Sequence, residues 1–276
     1  PAPSGREPSG KPLDLLKIPL KARHLRPAER KSAVLTIVVD TSGSMAASTP
    51  AGGAANTRTG SVDLSAETRL ELVRSALRAL MGALDSQDRV GIVAYATHPY
   101  LVLPHTPARE RGRVLAAVES LRPSGATNVE AGLDLAYRLA DEVFDPKALN
   151  RIVLLSDGVA NVGARGPEEI LQKVQVFAQR GIFLSCVGVG LGAKYNDAMM
   201  ETLAKRANGN YSHLDSPREA EKVFVDDLPS TLHVLAKDAK IQVEFHPDVV
   251  SHYRLLGYEV RTIRDEDFRN DAVDAG

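Results

Sequence analysis

Val34-Leu35-Thr36-Ile37-Val38-Val39-Asp40-Thr41-Ser42-Gly43-Ser44 joins a near-continuous apolar run to a polar loop. The run has the length and β-branched content of a strand covered on both faces. Such a strand delivers one carboxylate and two hydroxyls, at alternate positions, to its carboxyl end. In an open α/β sheet that edge is where ligands bind. Carboxylate and hydroxyl oxygens are hard ligands, suited to Mg²⁺ or Mn²⁺ and poorly suited to soft metals.

The pattern repeats outward from this stretch. Strand-like runs fall at 34–40, 89–95, 100–103, 151–157, 182–189 and 210–214. Between them, apolar residues recur at spacings of three and four. Leu70, Val73, Leu77, Leu80 and Leu84 form one stripe; Val129, Leu133, Ala136, Ala140 and Val143 form another. Ile170, Val174, Phe177 and Ala178 form a third, and Met199, Leu203 and Ala207 a fourth. Each stripe marks a helix face turned to a core. Gly181 stands between a helix and a strand, where a helix-terminating glycine belongs. The alternation predicts an α/β fold: a doubly wound, mainly parallel six-stranded sheet flanked by helices.

The flanks differ from this core. Residues 1–11, rich in Pro, Gly, Ser and charge, read as a disordered tail. Residues 12–32 read as an N-terminal flanking β segment, and 33–237 as the α/β domain. Within the domain, 46–67 is a Gly/Ala/Ser/Thr-rich flexible insertion that starts at the polar loop. It reads as a tolerated insertion, with a partner-contacting or gating loop as the sharper alternative. A last helix is expected over 217–237, with Ala220, Phe224, Leu228, Leu232 and Leu235 inward and a kink at Pro229. In 238–276, Ile241, Val243 and Phe245 alternate with polar residues, and 253–258 continues as a second extended stretch. These read as an antiparallel hairpin that pairs with a strand near 13–22, in a C-terminal β segment that is truncated. The chain starts at Pro1 rather than Met and reads as processed or cut, which leaves a signal peptide or lipid anchor open.

Composition narrows the function. At 276 residues and 43% hydrophobic, the chain can bury a substantial core. A formal charge of -1, with aromatics at 5% and basic residues interleaved with acids, argues against a nucleic-acid surface. No apolar run reaches membrane-spanning length. The single Cys186, in a strand-like run, reads as a buried inert thiol. Seven histidines are scattered without metal-ligand spacing, which argues against zinc; His98, His105 and His213 read as surface or turn residues. Gly188-Val189-Gly190-Leu191-Gly192 reads as a strand-exit turn rather than a dinucleotide loop.

A second acidic strand end is Leu154-Leu155-Ser156-Asp157-Gly158, and Gly125-Ala126-Thr127-Asn128 precedes a helix. With Asp40-Thr41-Ser42-Gly43-Ser44, these resemble the metal-ion-dependent adhesion site of von Willebrand factor type A domains. The resemblance implies Asp40, Ser42, Ser44, Thr127 and Asp157 as metal residues, with Mg²⁺ as the ion and Mn²⁺ or Ca²⁺ as alternatives. It implies a binding mechanism in which hydroxyls leave the ion electrophilic and a Glu or Asp of a protein partner fills the open position. The final helix would report occupancy by shifting. Asp88-Arg89-Val90-Gly91-Ile92-Val93-Ala94-Tyr95, 101–104, 236–245 and 253–259 resemble the bacterial YfbK-type branch of that superfamily. That implies a periplasmic or cell-envelope protein, lipoprotein-anchored in many cases, with a cytoplasmic location as the alternative. The competing function is an accessory subunit of a MoxR-type or chelatase-type AAA+ ATPase. An enzymatic role is not expected: phosphotransferases that use an Asp nucleophile carry Asp-x-Asp, and here Ser42 takes the second place.

Overall fold

The computed structural model describes residues 5–6, 12–13, 16–17, 31–49, 67–158, 167–190, 197–227, 243–246 and 248–253. Two short strands, β1 (Gly5–Arg6) and β2 (Pro12–Leu13), pair antiparallel. The reading of 1–11 as a disordered tail is thus corrected at Gly5 and Arg6. The β2 backbone pairs with β1; the expected pairing of 13–22 with the C-terminal segment lies outside the described residues.

The main sheet is built from β3 (Ala33–Asp40), β4 (Arg89–Tyr95), β5 (Pro99–Pro107), β6 (Leu149–Ser156), β7 (Ile182–Val189) and β8 (Tyr211–Leu214). Their spatial order is β5-β4-β3-β6-β7-β8. All neighbours are parallel except β4 and β5. The chain runs outward from β3 through β4 to β5, then returns to the other side of β3 to begin β6. The order therefore reverses beside β3, and the crevice at such a reversal is where open α/β sheets bind ligands.

Helices cover both faces. One face of β3 presents Leu35, Ile37 and Val39 to a core shared with α1 (Arg69–Ala83) and α2 (Arg111–Ser120). The other presents Val38 to a core shared with α3 (Val129–Glu142), α4 (Pro167–Gln179) and α5 (Asp197–Arg206). The doubly wound, mainly parallel sheet predicted from the pattern is the observed one. Only α2 escaped the helical stripes, although Val114, Ala117, Val118 and Leu121 are buried with the right spacing. Ten residues between short polar links give a weak period. The next helix, α6 (Pro217–Glu221), continues as a π-helical segment, Lys222–Asp227, and buries Ala220, Val223 and Phe224. The helix expected over 217–237 is therefore π-wound after Glu221; the rest of it, with Pro229, lies outside the described residues.

Four further expectations change. The edge strand β5 is longer than 100–103 and joins β4 through two register shifts around Gly91 and Ile92. His105 is not a surface residue. It lies across Gly91, where a Cβ would approach its ring to 2.9 Å, and its Nε2 lies 2.9 Å from Thr36 Oγ1. His213 lies within β8, half-buried. At the C-terminus, 243–246 carry no strand. They lead into a turn in which the N–H groups of Val249 and Val250 donate to the His246 carbonyl, and Phe245 packs against Tyr253 with ring centroids 4.7 Å apart. The remainder of the expected hairpin lies outside the described residues.

The base of the 46–67 insertion is ordered. Ser48 bridges Thr68, the Thr49 N–H and hydroxyl both donate to the Glu67 carbonyl, and the Arg69 N–H donates to the Ala47 carbonyl. The expected flexibility is corrected at 46–49 and 67; residues 50–66 lie outside the described residues. Cys186 is free and fully buried, and burial pushes its thiol well up. Gly181, at φ +95, closes α4, and Gly190, at φ +85, turns the chain out of β7. Both take up the left-handed region that favours glycine.

Candidate metal centre

Asp40 ends β3 with a strand end on each side. Tyr95 of β4 stands directly opposite it, and Ser156 follows Leu155, the β6 partner of Val39. Asp40 is fully buried, and both of its carboxylate oxygens are engaged. Oδ1 accepts from the Ser42 N–H at 2.8 Å. Oδ2 accepts from Ser156 Oγ at 2.7 Å and from the Tyr95 phenol at 3.3 Å. Burial pushes the Asp40 carboxyl above its ordinary value; hydrogen bonds from Ser42 and Ser156 oppose that rise, and the charge of Asp157 adds to it. Burial, and next the charge of Asp40, hold the Tyr95 phenol well above its usual range. Tyr95 is therefore a neutral donor.

The loop after β3 is pinned at each residue. The Thr41 N–H and hydroxyl both donate to the Tyr95 carbonyl, at 2.8 and 3.0 Å. The Gly43 N–H donates to the Gly125 carbonyl at 3.0 Å, and the Ser124 N–H donates to the Thr41 carbonyl at 2.6 Å. These bonds bring the second loop against the first. Gly125 has φ +65, and a Cβ there would lie 2.6 Å from Thr97 Oγ1. The Asn128 N–H donates to the Ala96 carbonyl, and Asn128 Oδ1 caps α3 by accepting from the Ala131 N–H. Thr127, half-buried, is carried on this doubly tied loop. No hydrogen bond joins its side chain to the other four expected ligands among the described residues.

Those four form a connected set. Ser42 Oγ lies 3.0 Å from Ser44 Oγ, and Ser44 Oγ donates to Asp157 Oδ1 at 2.9 Å. Asp157 directly follows β6. Oxygens at adjacent corners of an octahedron with metal–oxygen bonds of roughly 2.0–2.1 Å are separated by about 3.0 Å. The two observed spacings match that edge. The donors are all hard oxygens, so chemistry and spacing both fit Mg²⁺ or Mn²⁺. Among the described residues, no three His, Cys, Asp or Glu side chains gather as a metal site, so hydroxyls are indispensable to any such centre.

Three neighbours were not singled out from the sequence. Ser156 and Tyr95 hold Asp40; both are strand-end residues within quoted motifs, so their position was readable although their role was not. Arg69 is the third. Its Nη1 lies 2.6 Å from Asp157 Oδ2. It stands 25 residues beyond Ser44 in the chain, and nothing in the sequence signals the contact.

Residues 35–159 match the model for the von Willebrand factor type A domain, and residues 230–276 match that for "Uncharacterized protein YfbK, C-terminal". The chain carries a von Willebrand factor type A domain joined to a YfbK-type C-terminal segment. It is 38% identical over 262 residues to Uncharacterized protein YfbK of Escherichia coli K12, a match that covers 95% of this chain and 42% of that protein. Among solved structures, the fold resembles the conserved hypothetical protein BatB from Bacteroides thetaiotaomicron. The TM-score there is 0.55 at 20% identity, over 73% of this chain and 98% of that one. It also resembles proximal thread matrix protein 1 of the mussel byssus, solved with a zinc-occupied MIDAS motif. That TM-score is 0.52 at 15% identity, over 74% of this chain and 46% of that one. The chain spans about two fifths of the curated relatives that head the comparison. Among the described residues, no helix is long and apolar enough to cross a membrane.

Proposed function

We propose that the chain is a metal-dependent protein-binding module. Asp40, Ser42, Ser44, Thr127 and Asp157 hold Mg²⁺, and an acidic side chain of a protein partner completes the ion's coordination. The observation that carries this reading is the run of oxygens from Ser42 through Ser44 to Asp157 at 3.0 and 2.9 Å, the edge length of a magnesium octahedron. When bound, the ion supplies a positive centre with an open position for a carboxylate. The chain's own residues do the rest. Asp40 braces the first loop from beneath, and its carboxylate is held by Ser42, Ser156 and Tyr95. The bonds from Thr41 and Gly43 fix the height of the serines. The Asn128 cap and the Ala96 carbonyl fix the loop that carries Thr127. A pre-set cage of this kind avoids ordering costs when a partner arrives.

Binding rather than catalysis is supported by the residue at the second loop position: Ser42 stands where phosphotransferases that use an Asp nucleophile carry their second acid. The zinc-occupied motif of proximal thread matrix protein 1 supports a dication on this fold. A periplasmic or envelope setting belongs to the same proposal.

Capture of partners from a native envelope extract tests the reading. Capture in Mg²⁺ that is lost in EDTA, and lost in Ser42→Ala and Ser44→Ala, is the expected result. Capture that survives EDTA places recognition elsewhere.

A further inference from the structure

We propose that Arg69 is a tethered cation that holds Asp157 when no dication is bound and competes with a dication for it, so that this arginine sets the ion concentration at which the site loads. The proposal rests on the metal reading above. The Asp157 carboxylate is divided between two donors: Ser44 Oγ at Oδ1, 2.9 Å, and Arg69 Nη1 at Oδ2, 2.6 Å. The same Nη1 lies 3.5 Å from the Ser44 carbonyl. One guanidinium thus spans the two loops that a dication would span.

Local helix energetics do not explain its position. Arg69 is the first residue of α1, where the helix dipole disfavours a cation. A long arginine at a helix start ordinarily reaches into water; this side chain is 19% exposed, and its Nε is buried with no hydrogen-bond partner among the described residues. Burying an unpartnered donor is unfavourable, so something else must hold it. Asp157 is that group, at 6% exposure. The fold also makes room. A Cβ at Gly190 would lie 2.7 Å from Arg69 Nε, so the exit turn of β7 is bare where the arginine passes. The Arg69 N–H donates to the Ala47 carbonyl, which ties the residue to the end of the first loop.

Two cations at one carboxylate repel each other, and the interior screens that repulsion weakly. Removing the guanidinium frees Asp157 for the ion but takes away the tie that holds the loops without it. The test is a Mn²⁺ titration followed by electron paramagnetic resonance, with thermal melts in EDTA and in Mn²⁺. Arg69→Gln is expected to bind Mn²⁺ roughly tenfold more tightly than wild type. Its melting temperature in EDTA is expected to fall by about 2–4 °C, and Mn²⁺ should raise it more than it raises that of wild type. Arg69→Met, which keeps an apolar stem beside Gly190, serves if the Gln variant does not fold. Equal or weaker Mn²⁺ binding in the neutral variants, with wild type binding normally, overturns the competition and leaves the metal reading intact. No binding in any of the proteins overturns both.

Discussion

Asp40 and His105 show how burial decides what a titratable side chain does. Asp40 keeps company with three donors and becomes a brace. His105, on the edge strand β5 with its ring over Gly91, has burial as its main perturbation and the nearby Arg89 charge as a second; together they depress its imidazole to about 4. The folded protein therefore holds this histidine neutral, while the unfolded chain protonates it below about 6.5. Its contribution is fully present above that value and is lost as pH falls toward 4, amounting to about 3 kcal/mol. Urea unfolding at pH 7 and pH 4.5 measures this: wild type should lose clearly more stability between the two than His105→Gln, and equal losses would contradict it. The sequence could not show this role. His105 pairs with Thr36 and crosses Gly91 by sheet geometry, across 69 residues of chain. The positions of Ser42 and Ser44 were legible for the opposite reason: they follow a strand end directly, and the strand delivers them.

The elements explain which parts of the site are rigid. Helix α3 approaches β4 so closely that a Cβ at Gly132 would lie 2.7 Å from the Tyr95 ring. Gly132→Ala should therefore cost about 1–3 kcal/mol and disturb the phenol that supports Asp40. Gly112, in α2, has nothing within 4 Å of its Cβ position. Gly112→Ala should stabilise by about 0.5 kcal/mol, since alanine favours helix. Thermal melts of the two variants check the opposite signs; two shifts of the same sign would refute the packing argument. Elements with long apolar periods were readable from the chain, α1 and α3 above all. Short α2 and the π-helical continuation of α6 were not. A ten-residue helix gives few repeats, and a change of winding leaves no mark in composition.

For the molecule as a whole, the sheet reversal beside β3 sets a crevice between the β3 and β6 ends, and the proposed metal residues come to it from three separate loops. The base formed by Ser48, Thr49, Glu67 and Thr68 closes the segment that begins at the first loop. The Thr49 N–H donates to the Glu67 carbonyl at 2.9 Å, so the two chain ends are already adjacent. Replacing residues 50–66 with a short Gly-Ser linker should leave the melting temperature within about 2 °C, because loop length enters closure entropy only logarithmically. A large loss of stability would show that the excised residues support the fold. If the same excision changes partner affinity in Mg²⁺, the segment contacts the partner; unchanged affinity removes that role.

Anomalous diffraction from a crystal grown in Mn²⁺ tests the central claim most directly. The account predicts one strong peak about 2.1 Å from the Ser42 and Ser44 hydroxyl oxygens, bordered by Thr127 and Asp157. Density for the protein with no manganese there, and the serine and Asp157 oxygens still bonded only to one another, would contradict it.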